Sequence, residues 1–278
     1  MSIIHKLKKR HITYCALFIL LVSILLAGLN NKLTVTEYTI RTGKTTAGIE
    51  IVLLTDLHSC SYGEGQNQLI EAINKQNPDI ILMAGDIADD VLPDEKVIEL
   101  LRGIAYKYPC YYVTGNHEFW SGRVDEQKEM FRAYGVNVLE GTGDTVYLNG
   151  QEILICGVDD PDGGWEMFED QLNNVAQFVQ EDKYTILLAH RPELNEMYST
   201  HLFDLVLSGH AHGGQWSIPL ILPNGLFAPN QGIFPKYTKG ICEFENTKML
   251  VSRGLSREST QVPRFFNPPE LVVIHLVP

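Results

Sequence analysis

Five short polar stretches of this chain combine carboxylate, amide and imidazole groups in a pattern suited to metal-ion chemistry. They are Asp56-Leu57-His58, Gly85-Asp86, Gly115-Asn116-His117-Glu118, His190-Arg191-Pro192-Glu193 and Gly209-His210-Ala211-His212-Gly213-Gly214. Imidazole plus carboxylate suits zinc, iron or manganese. On extended backbone, residues two apart point the same way, so Asp56 with His58, and His210 with His212, can each face one ion together. The glycines at 85, 115, 209, 213 and 214 let the chain turn where side chains must crowd around a small object. Each stretch alone has a plainer reading. Asp-x-His arises by chance, Gly-Asp marks a turn, Asn-His-Glu is a loop with a helix cap, and a lone His is a hydrogen-bonded core or surface residue. The five in this order, each behind an apolar run, point to one site.

Those apolar runs are the elements that must position the site. Residues 49–55 (IEIVLLT), 79–84 (DIILMA) and 110–114 (CYYVT) read as buried strands, alternating with helix-like segments at 66–76, 94–107 and 123–134. Such β-α-β-α alternation predicts a mostly parallel, helix-covered sheet, which binds ligands at the carboxyl ends of its strands. Strand-like pieces follow at 145–148 and 152–157, with Asn149-Gly150 between them as a hairpin signal. A helix at 166–179 leads to strands at 184–189 and 202–208, and late strands are expected at 240–245, 249–252 and 271–276. No internal repeat interrupts the order. The expected organisation is a basic N-terminus (1–11), an apolar span (12–29), a linker (30–48) and one catalytic domain (49–278).

The order Asp-x-His, Gly-Asp, Gly-Asn-His-Glu, His, Gly-His-x-His resembles the calcineurin-like metallophosphoesterases over residues 49 to 214, and the fuller stretches TDLHSCSYG, AGDIADD, GNHEFW, AHRPE and SGHAHGGQW look like that superfamily's membrane-anchored bacterial branch. The resemblance implies an α/β fold, a four-layer αββα sandwich of mixed sheets with the metal centre at one edge. It implies Asp56, His58, Asp86 and His212 as ligands of a first metal, and Asp86, Asn116, His190 and His210 as ligands of a second, with Asp86 bridging. It implies His117 as the non-ligand histidine that stabilises phosphoryl charge and protonates the leaving oxygen. Two divalent ions, manganese, iron or zinc, would counter phosphate charge and bring the pKa of a bridging water from about 15.7 towards neutrality. Attack in line with the leaving group then needs positioning and electrostatics rather than a covalent nucleophile.

The formal charge is −12, and the first 31 residues hold Lys6, Lys8, Lys9 and Arg10 with no acid, so the remainder carries −16. That balance argues against nucleic acid as a partner. Residues 12–29 carry no charge, and 18 residues at about 1.5 Å each approach the roughly 30 Å hydrocarbon core. The basic N-terminal flank predicts an N-terminus in the cytoplasm and a catalytic domain outside, on a single-pass anchor. A cleaved signal peptide is the rival, but Leu25 stands where small-x-small cleavage needs a small residue. Beyond Cys15 in the span, Cys60, Cys110, Cys156 and Cys242 show no zinc spacing, and buried thiols are preferred to a disulfide.

Four further features carry smaller expectations. Arg191 could reach a substrate phosphate or pair with Glu193 or another acid. Arg253 is a lesser candidate for approaching the site, and Cys60 for lying near the first metal, with a buried thiol the default. The run from Trp216 through Ile218, Leu220, Ile221 and Leu222 could form a substrate or membrane-facing lip, with ordinary core the default. The expected function is metal-dependent hydrolysis of a phosphoester or pyrophosphate in a phosphorylated small molecule or a lipid-linked substrate. The alternative is a non-catalytic scaffold of the same fold.

Overall fold

The structure is a computed structural model describing residues 3–257 and 262–278. Strands β2 (Ile49–Leu54), β3 (Ile80–Ala84) and β4 (Cys110–Val113) run parallel to one another, joined by helices α2 (Asn67–Gln76) and α3 (Glu95–Ile104). In α3 the buried residues Val97, Leu100, Leu101 and Ile104 recur at helical spacing, so one stripe faces the sheet. Helices α4 (Asn116–Trp120) and α5 (Val124–Ala133) lead to a short edge strand, β5 (Asn137–Val138).

The Asn149-Gly150 turn joins β6 (Thr142–Leu148) to β7 (Gln151–Gly157) as an antiparallel hairpin, as its sequence predicts. After α6 (Trp165–Ala176) come β8 (Tyr184–Leu188), the short helix α7 (Asn195–Ser199) and β9 (Leu205–Ser208). A small hairpin, β10 (Phe227–Ala228) with β11 (Gly232–Ile233), lies in the loop beyond β9, followed by β12 (Gly240–Glu243) and β13 (Lys248–Val251). The second sheet has the order β12-β13-β9-β8-β7-β6.

Two strands complete the first sheet from distant ends of the chain. Within the stretch read as a linker, residues 34–41 form β1 (Thr34–Arg41), parallel to the C-terminal strand β14 (Glu270–Val277). β14 is inserted antiparallel to β2, so the sheet order is β1-β14-β2-β3-β4-β5. The strand exists because β14 offers it a partner, and that partner lies more than 200 residues away.

Alternation along the strands divides the interior into three layers of packing. Ile51, Leu53, Leu82 and Val113 from one sheet meet Ile155, Ile186, Leu207 and Leu250 from the other between the sheets. Val52, Leu54, Met83 and Tyr112 face the opposite way, against α2 and α3. Cys156, Leu187 and Val206 likewise face Phe168, Leu172 and Val175 of α6. This is the four-layer αββα sandwich, its two mixed sheets at the centre.

Helix α1 (Ile3–Gly28) stands outside this packing: its window His11–Gly28 is long and apolar enough to cross a membrane and only 6% buried. A core helix of that composition would be covered. None of the five cysteines forms a disulfide; Cys60, Cys110 and Cys156 are buried.

Candidate metal centre

All seven predicted ligands and His117 lie in or beside the loops that leave β2, β3, β4, β8 and β9 at their carboxyl ends. The side chains meet in two groups. Asp56, His58 and His212 form one, and Asp86, His190 and His210 the other, each with donor atoms within 4.8 Å. The Asp86 carboxylate lies between them: its Oδ2 is 3.6 Å from His58 Nε2 and 3.1 Å from His190 Nε2. Asp56 Oδ1 is 3.8 Å from His212 Nε2 and 4.0 Å from His190 Nε2. Asn116 belongs to neither group of acids and imidazoles, but with Asp86, His117, His210 and His212 it lines a cleft of about 290 Å³.

The convergence has a different local cause from the one the spacing suggests. Asp56 and His58 do not share a pleated strand, because β2 has already ended. Both adopt left-handed backbone, with φ of 49° each, as do Asp86 (52°), His210 (64°) and His212 (46°). Non-glycine residues rarely take this conformation, and it persists where surrounding structure enforces it. The enforcement is visible: Asp56 N–H donates to Gly85 O and His58 N–H to Asp86 O, both at 3.0 Å. His210 N–H donates to Asp56 Oδ1 and His117 N–H to Asp86 Oδ1, both at 2.9 Å. Gly115 and Gly209 are required for close approach rather than for turning. A Cβ at Gly115 would strike the Asp86 carboxylate, and one at Gly209 the Asp56 carboxylate.

Three of the four predicted ligand histidines are hydrogen-bonded from outside through one ring nitrogen, and the fourth, His58, has an acid beside it. His190 Nδ1 lies 2.8 Å from Ala84 O, which fixes Nδ1 as the protonated nitrogen and leaves Nε2 facing Asp86. His58 Nδ1 lies 3.3 Å from Asp89 Oδ2, His212 Nδ1 3.1 Å from Ser256 Oγ, and His210 Nε2 2.8 Å from Asn230 Oδ1. Outer partners of this kind set the tautomer of metal-binding imidazoles. Meanwhile Asp56 Oδ2, Asn116 Oδ1, both ring nitrogens of His58 and His190 Nε2 are buried with no hydrogen-bond partner. Buried polar atoms are nearly always paired, so this cluster of inward donors to a cation needs a cause. A pair of divalent ions fits it.

The electrostatic surroundings divide the imidazoles. Burial pushes His210 down to about 3, aided by the His190 charge, and burial with the nearby His58 holds His212 well below its usual value. Both are neutral imidazoles, the form that binds metals. Burial also opposes charge on His190, but Asp86 and Asp56 overcome it and lift His190 to about 10. Asp86 is held well below the ordinary carboxylate range by His190 and His58 despite its burial, whereas burial raises Asp56.

Three acids that sequence reasoning did not assign support the site. Asp89 backs His58. The Asp90 Oδ1 atom lies 2.7 Å from His117 Nδ1, against a ring that is edge-on to His58. Buried Glu118 accepts from the backbone N–H groups of Asp86, Ala88 and Gly115, and burial and Asp86 raise its carboxyl to about 7. Their signal was present in AGDIADD and GNHEFW, where acids follow the ligand directly. Arg264, at 2% exposure, donates to Ser256 Oγ and so buttresses His212 from far along the chain.

The smaller expectations resolve individually. Arg191 lines the cleft, but its guanidinium is engaged by Asp160 in a two-point contact and by Asp162, rather than by Glu193. Arg253 turns from the site to Glu270, Thr34 and Thr36. Cys60 is a core thiol whose Sγ accepts from Arg257 N–H. The run after His212 is not core: Trp216 is 43%, Leu220 100% and Ile221 73% exposed.

The sequence profile of the calcineurin-like phosphoesterases matches residues 49–214. An uncharacterised metallophosphoesterase of Bacillus subtilis, YkuE, is 31% identical over 253 residues, covering 87% of this chain and 84% of that one. A metallophosphoesterase of Aquifex aeolicus is 30% identical over 252 residues, covering 87% and 91% respectively. Among solved structures, a phosphopantetheinyl hydrolase of Mycobacterium tuberculosis superposes with a TM-score of 0.50 at 13% identity, over 79% of this chain and 96% of that one, a likeness of fold.

Proposed function

The chain belongs to the calcineurin-like phosphoesterases, and on that premise we propose that it hydrolyses a phosphoester or pyrophosphate bond at a dinuclear centre held by Asp56, His58, Asp86, Asn116, His190, His210 and His212. The single observation that carries the reading is the set of four imidazoles, three of them hydrogen-bonded from outside by one ring nitrogen and His58 backed by Asp89, around an aspartate placed between both groups. Two divalent ions supply, when bound, neutralisation of phosphate charge and acidification of water for attack.

The protein's own groups do the rest. Asp90 accepts from Nδ1 of His117, which orients the ring and leaves Nε2 to deliver a proton to the leaving oxygen. Glu118 ties the Gly85–Asp86 turn to the loop of Asn116 and His117, so ligand and acid keep a fixed relation. Arg191, neutralised by Asp160 and Asp162, shapes the cleft wall and keeps net positive charge low there. The uncovered apolar length of α1 supports a single-pass anchor, the basic residues before it support a domain on the extracytoplasmic side, and proximity to the bilayer favours a lipid-linked or cell-envelope phosphate.

Metal analysis of the purified chain, with a panel of mono-, di- and pyrophosphates that includes undecaprenyl and UDP-sugar pyrophosphates, tests this. Manganese-stimulated cleavage of at least one class is expected. A metal-loaded chain inert on the whole panel would defeat the reading. An alkaline-phosphatase fusion after residue 31 tests the orientation and should be active.

A further inference from the structure

The loop between β9 and β12 turns two different faces to its surroundings. Inward, Pro229 and Asn230 line the cleft, and Asn230 Oδ1 holds His210. Outward, it presents large apolar side chains to solvent: Leu220 is 100% exposed, Ile221 73%, Ile233 68%, Phe234 69% and Phe227 50%. Leu220 and Ile221 form the tip of a tight turn closed by Ile218 and Leu222. Scattered apolar residues on a surface need no explanation, but five exposed on one irregular loop, two of them paired across the β10–β11 hairpin, mark a surface that something covers.

Two observations identify what covers it. The first is continuity with α1. Phe266 N–H donates to Gly28 O at 2.7 Å, and the Phe265 ring packs on Gly28, where any Cβ would collide with it. Trp216 lies 6.1 Å from the Phe265 ring, and its indole N–H donates to Pro263 O at 2.9 Å. The apolar loop therefore begins against the end of the helix that is long enough to span a bilayer. The second is charge. From residue 205 to 242 there is no acid, although residues 32–278 as a whole carry −16, while Lys236 follows Phe234 and Lys32 follows α1. Cations beside apolar side chains and a tryptophan with one polar handle match the boundary between lipid headgroups and acyl chains.

We propose that residues 216–234 form a lip that inserts into the headgroup and acyl boundary of the leaflet at the C-terminal end of α1, so that the cleft opens directly beside the lipid surface. The placement rests on reading α1 as an anchor. The lip makes a second, shallow attachment that orients the domain, and the wall it shares with the cleft brings a phosphate at headgroup level to the metal ligands.

The test uses the full chain reconstituted in vesicles of phosphatidylglycerol and phosphatidylethanolamine. The chain contains three tryptophans, so Trp120→Phe with Trp165→Phe leaves Trp216 as the sole reporter. Trp216 is expected to lose most of its emission when the acyl chains are brominated near the headgroup. Leu220→Trp, at a fully exposed tip where folding is undisturbed, provides a second reporter and should be quenched more strongly. Unchanged emission from both reporters in chains that resist carbonate extraction would overturn the lip while leaving the anchor intact. Reporters shielded from aqueous iodide yet untouched by brominated lipid would assign the surface to a protein and overturn the proposal equally. Chains that wash off in carbonate would remove anchor and lip together, and phosphatase activity enters none of these readouts.

Discussion

The ends of the strands and the loop from Trp216 to Phe234 break the usual arrangement of a folded surface in opposite directions. At the strand ends, carboxylates and imidazoles such as Asp56, Asp86, His58 and His190 are almost wholly buried. On the loop, Leu220, Ile221 and Phe234 face outward. The difference lies in what enforces each. Buried charge is held on short turns locked to parallel strands by backbone hydrogen bonds and left-handed residues. The exposed apolar loop is held by a short hairpin, a tight turn and scattered backbone hydrogen bonds, and its large side chains point away from them. The first region gathers groups of the kind that hold cations, and the second leaves apolar side chains uncovered.

Removing the shared aspartate tests the buried region most severely. Asp86→Asn should lose metal and activity by more than the roughly 10–100-fold expected for an outer partner, as read by metal content and turnover together. His117→Ala should retain both metals yet lose about 10²–10⁴-fold in kcat; a scaffold with the same fold would keep its biological effect. Asp89→Asn, which leaves His58 in place but removes its backing, should cost about 10–100-fold in metal affinity or activity.

Removing metal should expose a pH dependence. In the metal-free chain Asp86 and Asp56 raise His190 to about 10 against its burial, and Asp89 and Asp86 raise His58 as well. A group raised in the folded state stabilises fully below its unfolded value of about 6.5 and loses that contribution as pH climbs through the folded value. The Tm of the chelator-treated chain should therefore fall between about pH 6.5 and 10, and the Tm gap between metal-loaded and metal-free chains should widen over that window. A gap that narrows would contradict the assignment of charge. The smallest effect belongs to the other region: Leu220→Ser with Ile221→Ser should change the denaturation midpoint by no more than about 0.5 kcal/mol equivalent, because neither side chain packs on the domain.

The candidate site residues were legible because their types sit directly behind apolar runs that form buried strands, and the Asn149-Gly150 turn because its chemistry is local. The reason for their convergence was not: alternation of extended backbone was the natural inference from Asp-x-His, whereas the left-handed turns at Asp56 and His58 depend on hydrogen bonds to the next strand's turn. β1 shows its period of two in TVTEYTIR, yet its partner is the far end of the chain, and pairing at that distance leaves no local trace. Arg191 and Arg264 are similar cases, since their partners lie 31 and 8 residues away and only folding brings them into place. The apolar run after His212 was assigned to the core by default because hydrophobicity reports a wish for burial but not which surface provides it.

The most direct test of the dinuclear centre is anomalous scattering from crystals of the full chain grown in saturating manganese. Two peaks are expected in the cleft, one against Asp56, His58 and His212, the other against Asn116, His190 and His210, with Asp86 touching both. No peak, or a single one remote from Asp86, would contradict the account.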